Sequence, residues 1–182
     1  MVSTWSDPAS QGTMLKKLAV VGFRRTDLNR RLFEDEMCTL LKKHNVQAEP
    51  TYNLMTEPPD TNADGLLNQL RGNGFDGVLI SHITGVNSEV RAAPGVRRYV
   101  PEPRYDRFGN YYRSVMVEEY TPGIETVYEY VQMQTHLYRA SDGALIWAAQ
   151  SETERTGSLQ TRIADYSKAV VADLVSNEII HK

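Results

Sequence analysis

The sequence predicts an α/β fold: a single three-layer-like domain with a parallel β-α-β-α-β run, then a long antiparallel hairpin and a C-terminal helix. Three observations carry this expectation. Two short unbroken apolar runs, at residues 18–23 and 77–80, read as strands buried on both faces. Two stretches between them place apolar residues at helical spacing. Farther on, residues 125–138 alternate strictly and run into Ser141-Asp142-Gly143, a tight-turn sequence.

The elements follow in chain order. Residues 1–14 are polar, contain Pro8 and Gly12, lack apolar periodicity and read as a flexible arm. Leu18-Ala19-Val20-Val21-Gly22-Phe23 is the first strand. The helix after it presents Leu32, Phe33, Met37, Leu40 and Leu41 on one face, with Thr26 or Asp27 as its cap and Asn45 as a left-handed stop. A second strand is expected at 46–52, a helix at 63–71 stopped by Gly72-Asn73-Gly74, and a third strand at Gly77-Val78-Leu79-Ile80.

Residues 86–123 change character. Pro94, Gly95, Pro101, Pro103 and Gly109 act as breakers, so the stretch reads as a Tyr/Arg-rich loop inserted in a domain spanning 15–182. In the hairpin that follows, Val127, Glu129, Val131, Met133, Thr135 and Leu137 share one face, and residues 145–155 return as the partner strand. The last helix, 158–177, buries Leu159, Ile163, Tyr166, Val170 and Leu174 behind a Ser158 cap.

Composition narrows the function. Of 182 residues, 41% are hydrophobic and 24% charged, the balance of a globular domain. A formal charge of -3 and a pI near 5.8 argue against a nucleic-acid partner, which calls for a basic excess to neutralise phosphates. No apolar run approaches the roughly 18–20 residues of a membrane span. The start of the chain shows neither the basic region nor the apolar region of a signal peptide. The single cysteine, Cys38, excludes an internal disulfide and a multi-cysteine metal site.

Little catalytic chemistry is visible. His44, His82, His136 and His181 show no zinc spacing, so neither a metal nor a cofactor is expected. Cys38 lies mid-helix with no histidine near it in sequence, which favours inert packing. No serine sits in a nucleophile elbow, and neither glycine-rich stretch opens a helix with phosphate-binding spacing.

Two candidate sites remain. Arg24, Arg25, Arg30 and Arg31 bracket the turn after the first strand, and with His82 at the end of the third they outline an anion or small-ligand site. Against it, Glu34, Asp35 and Glu36 follow at helical spacing, which favours a solvated, salt-bridged face for Arg30 and Arg31. An enzyme would instead need His82 to meet Asp27 or Glu89 in a pocket. The second candidate, 89–113, has six arginines against three acids, with Tyr99, Tyr105, Phe108, Tyr111 and Tyr112 interleaved. Tyrosine and arginine are enriched in interface hot spots, so Tyr99, Arg104, Tyr105, Tyr111 and Tyr112 are the expected partner-binding anchors, the alternative being a loop that folds back over the sheet and buries its own tyrosines.

Thr4-Trp5-Ser6-Asp7-Pro8, Leu18-Ala19-Val20-Val21-Gly22, Arg30-Arg31-Leu32-Phe33-Glu34-Asp35 and Asp76-Gly77-Val78-Leu79-Ile80 form one set of motifs. With Thr135-His136-Leu137-Tyr138 and Gly143-Ala144-Leu145-Ile146-Trp147, they resemble a family of uncharacterised bacterial envelope lipoproteins. The resemblance implies export to the periplasmic side of the cell envelope and tethering by a lipid on a cysteine absent from this chain. The conspicuous tyrosines and arginines on a loop, with acid–base candidates scattered, favour a non-enzymatic assembly module whose partners are another envelope protein or its own copies. In element order the chain is similar, more distantly, to the curli-secretion lipoprotein, the penicillin-binding-protein activator lipoprotein and the amino-terminal domain of the Tol translocation protein. That similarity carries no site residues across.

Overall fold

A computed structural model describes residues 1–10, 12–22, 26–54, 63–103 and 114–182. The chain falls into two compact units: Met1–Asn87 with Tyr130–Lys182, and Ser88–Glu129.

The first unit is built around β2 (Lys17–Gly22), which pairs in parallel with β3 (Gln47–Pro50) on one side and β4 (Gly77–Ala93) on the other. In sequence, α1 (Asp27–Lys42) lies between β2 and β3, and α2 (Ala63–Gly72) between β3 and β4. The sheet continues through β7 (Ile124–Arg139) and β8 (Leu145–Glu154) to β1 (Ser3–Ser6), in the order β1-β8-β7-β4-β2-β3. β7, β8 and β1 pair antiparallel, and α3 (Leu159–Ser176) follows β8.

Successive strand residues point to opposite faces, and β2 shows the consequence. Leu18 and Val20 join one core with Phe33, Met37 and Leu41 of α1 and Tyr166, Val170 and Leu174 of α3. Ala19 and Val21 join the other with Leu66 and Leu70 of α2, Phe75 and Val78. Helices therefore cover both faces of the sheet, which is why β2 is apolar without alternation. Truncating fully buried Leu18 or Leu41 to alanine should cost about 2–5 kcal/mol.

The terminators act as their chemistry suggests. Thr26 caps α1 by accepting from the Asn29 amide, Ser158 caps α3 by accepting from that of Thr161, and Asn45 adopts φ 60 just past α1. Gly143 takes φ 75 in the β7–β8 turn, where Asp142 accepts from the Ala144 amide.

Two expectations are corrected. Part of the segment read as an arm is β1, paired from Ser3 opposite Gln150 to Ser6 opposite Trp147; a four-residue edge strand is too short to show periodicity. The segment read as a loop is largely strand: β4 runs to Ala93, and β5 (Val96–Pro103) pairs antiparallel with β6 (Ser114–Thr121) in a second sheet. Pro94-Gly95 links β4 to β5. Pro101 and Pro103 are tolerated because each strand of a two-stranded sheet has one paired edge, so a missing N–H need not break the ladder.

Candidate functional site

Cross-strand partners in an antiparallel pair share a face, which sorts the second unit's side chains. Tyr99 opposes Glu118, Arg97 opposes Tyr120, and Pro101 opposes Met116. One face of the β5–β6 sheet therefore carries Tyr99, Met116 and Tyr120, which are 65%, 58% and 58% exposed. Arg97 pairs with Glu118 at 3.1 Å, and its guanidinium carbon lies 5.7 Å from the Tyr120 ring centroid. The charges on this face are thus internally matched, and aromatic and thioether surface is left for contact. Val96 is exposed on the opposite face, where Arg98 donates to Glu119 at 2.6 Å.

Of the expected partner-binding anchors, Tyr99 falls on this aromatic face. Arg104, Tyr105, Tyr111 and Tyr112 lie outside the described residues, as do Arg24 and Arg25 of the anion site. Met116 and Tyr120 were not singled out from the sequence. Their signal was the shared parity of 116, 118 and 120, legible only once that stretch is known to be a strand.

The ends of β2 and β3 are organised by a buried carboxylate. Glu34 and Arg30 point inward from α1, contrary to the solvated face expected for them. Glu34 Oε1 accepts from the Gly22 amide at 3.0 Å, from Arg30 Nε at 2.8 Å and from Thr51 Oγ1 at 3.0 Å. Its Oε2 accepts from the Tyr52 amide at 3.3 Å, and Arg30 Nη2 donates to Thr51. One carboxylate thus ties the end of β2 to α1 and to the turn after β3. A Cβ on Gly22 would lie 2.9 Å from the Phe33 ring, so α1 packs closely against the end of β2.

Beside this network is a cavity of about 140 Å³ on the α1/α3 side of the sheet. Phe33, Ile83, Val131, Met133 and Ile163 make its walls apolar, and Ser81, Tyr166 and Arg162 supply polar groups. Ser81, Thr135 and Tyr166 form a chain of buried hydroxyls, and burial raises the Tyr166 phenol above its ordinary range.

His82 does not line this cavity. Its ring stacks on that of His136 with centroids 5.6 Å apart, and His136 in turn meets Tyr138. Burial, then the neighbouring His82, lowers the His136 pKa. Burial pushes the Cys38 thiol up to about 12, the opposite of a nucleophile's shift. Among the described residues, no three His, Cys, Asp or Glu side chains converge as a metal site, and no helix is long and apolar enough to cross a membrane.

No protein-family model matches the chain, and no curated protein matches it. Solved structures share its fold at low sequence identity. A PelC dodecamer from Paraburkholderia phytofirmans is 14% identical, with 100% of this chain and 99% of that one aligned at a TM-score of 0.51. A second PelC dodecamer from the same organism gives 14% identity over 98% of both chains, at 0.50. The lipoprotein GNA1162 of Neisseria meningitidis is 13% identical over 88% of this chain and 99% of its own, at 0.47. At these identities the likeness is one of architecture: the chain has the fold seen in the subunits of the PelC dodecamers.

Proposed function

We propose that this chain is a non-enzymatic module of the bacterial cell envelope that assembles with its own copies through its second unit. The observation that carries this reading is the exposed aromatic face of Tyr99, Met116 and Tyr120, with its charges already paired. Large aromatic and thioether side chains in water are what interface cores are made of. The dodecameric state of the PelC proteins supports the choice of a second copy as the occupant. Arg104, Tyr105, Tyr111 and Tyr112 lie in the segment joining β5 to β6 and would extend the same contact. Residence on the periplasmic side follows the lipoprotein resemblance. Tethering would rest on a lipid-bearing cysteine of the implied kind, because Cys38 is buried against the core.

Light scattering of the full chain across micromolar concentrations tests the reading. We expect an oligomer, and we expect Tyr99→Ser with Tyr120→Ser to dissociate it while circular dichroism stays native. Each lost anchor should weaken association by about 2 kcal/mol, roughly 30-fold. A native chain that stays monomeric throughout overturns self-assembly and leaves a foreign envelope protein as the partner to seek.

A further inference from the structure

We propose that the cavity beside the end of β2 and the middle of β4 is a binding site for a small carboxylate bearing an apolar body about the size of a benzene ring. The inference is independent of self-association and rests on three features of the first unit.

The first is size and lining. A cavity of about 140 Å³ matches the roughly 150 Å³ apolar cavities that accept benzene. Phe33, Ile83, Val131, Met133 and Ile163 offer such a body dispersion contacts on several sides.

The second is an unmatched donor. Arg162, on the opening turn of α3, lines the cavity, and its Nε is shielded from solvent with no hydrogen-bond acceptor. Buried guanidinium N–H groups are ordinarily paired, since desolvating a donor without an acceptor is costly. A carboxylate in the cavity would supply that acceptor through a charge-assisted bond, with Ser81 and Tyr166 also on the wall as hydroxyl groups. Arg30, the other arginine lining the cavity, donates to Glu34 and Thr51, so Arg162 is the cation with a donor to offer.

The third is position. The cavity touches Gly22 at the end of β2, where the first crossover begins, and Ser81 and Ile83 within β4, with Gly22 and Ser81 in register. Open α/β sheets tend to place ligands near the carboxyl ends of their parallel strands, as at Gly22 of β2.

Benzoate is the probe, with benzyl alcohol as its uncharged counterpart and sulfate as a charge without the ring. Titrations of the full chain are followed by the methyl resonances of Ile83, Val131 and Ile163. Benzoate should saturate these shifts, with benzyl alcohol and sulfate each weaker by about tenfold or more. Arg162→Gln should bring benzoate down to the level of benzyl alcohol and leave benzyl alcohol unchanged. Absence of a saturable benzoate shift at tens of millimolar overturns the proposal. Equal binding of benzoate and benzyl alcohol overturns it too, as does a folded Arg162→Gln chain that binds benzoate as before. The ligand comparison on the unaltered chain is decisive without the variant, so a variant that failed to fold would not blunt the test.

Discussion

Arg30 donates through Nε to Glu34 at 2.8 Å, one helical turn along α1, and the receiving carboxylate is fully buried. Removing one member of a buried pair leaves the other charge uncompensated, which costs more than the pair contributes while intact. Glu34→Ala should therefore destabilise the chain by about 3–5 kcal/mol in denaturant melts. Glu34→Gln keeps an acceptor for the Gly22 and Thr51 contacts and should cost less. An alanine variant with an unchanged midpoint would show that this carboxylate does not hold β2 to α1.

Gly95 and Tyr120 are coupled through space. A Cβ on Gly95 would lie 2.5 Å from the Tyr120 hydroxyl and 2.9 Å from the Thr121 carbonyl. Gly95→Ala should raise amide exchange across β5 and β6. In a Tyr120→Ala background the same change should cost less, with a coupling of about 0.5 kcal/mol or more. Additive effects would mean that the ring swings aside freely.

Cys38 should resist iodoacetamide in the folded chain and react on denaturation, because its thiol is buried and its pKa is pushed to about 12. The unfolded thiol ionises near 9.0, so its stabilising contribution is intact below that pH and falls as pH rises toward 12. Tyr52, raised to about 12 chiefly by its hydrogen bond to Asp35, adds a decline that begins only above 10.0. A Cys38→Ala chain should therefore lose less stability than the parent between pH 9 and 10, as urea midpoints would register.

His136 should titrate below 6.5 in proton NMR, burial being the larger cause and His82 the smaller. The unfolded imidazole takes up its proton first as the medium acidifies. Stability is thus unaffected by this group above 6.5 and falls as pH drops below it, levelling beneath the folded pKa. His82→Gln should raise the His136 value only in part. Full return to 6.5 would assign the whole shift to the neighbouring ring.

The parallel half of the fold was legible because buried strands and amphipathic helices write periods into sequence. Leu18 to Gly22, the Thr26 and Ser158 caps, Asn45 and the Asp142-Gly143 turn all stand where local chemistry put them. β5 was not legible, since Pro101 and Pro103 forbid a central strand and say nothing about one with a single paired edge. The buried Arg30–Glu34 pair reads in sequence like any exposed i, i+4 pair; its burial is decided by Thr51 and Tyr52, residues remote along the chain. Arg162 gave no signal for the same reason: an unmatched donor exists only once the surrounding walls do.

The pairing of Ser3 with Gln150 bears on how such a chain is made. β1 has no sheet edge to join until β8, the last of the described strands, is in place. Closure of the first unit's sheet therefore waits on its most distant pairing along the chain. Joining a strand from the start of the unit to one near its end is a pairing of high sequence separation, the kind that forms slowly.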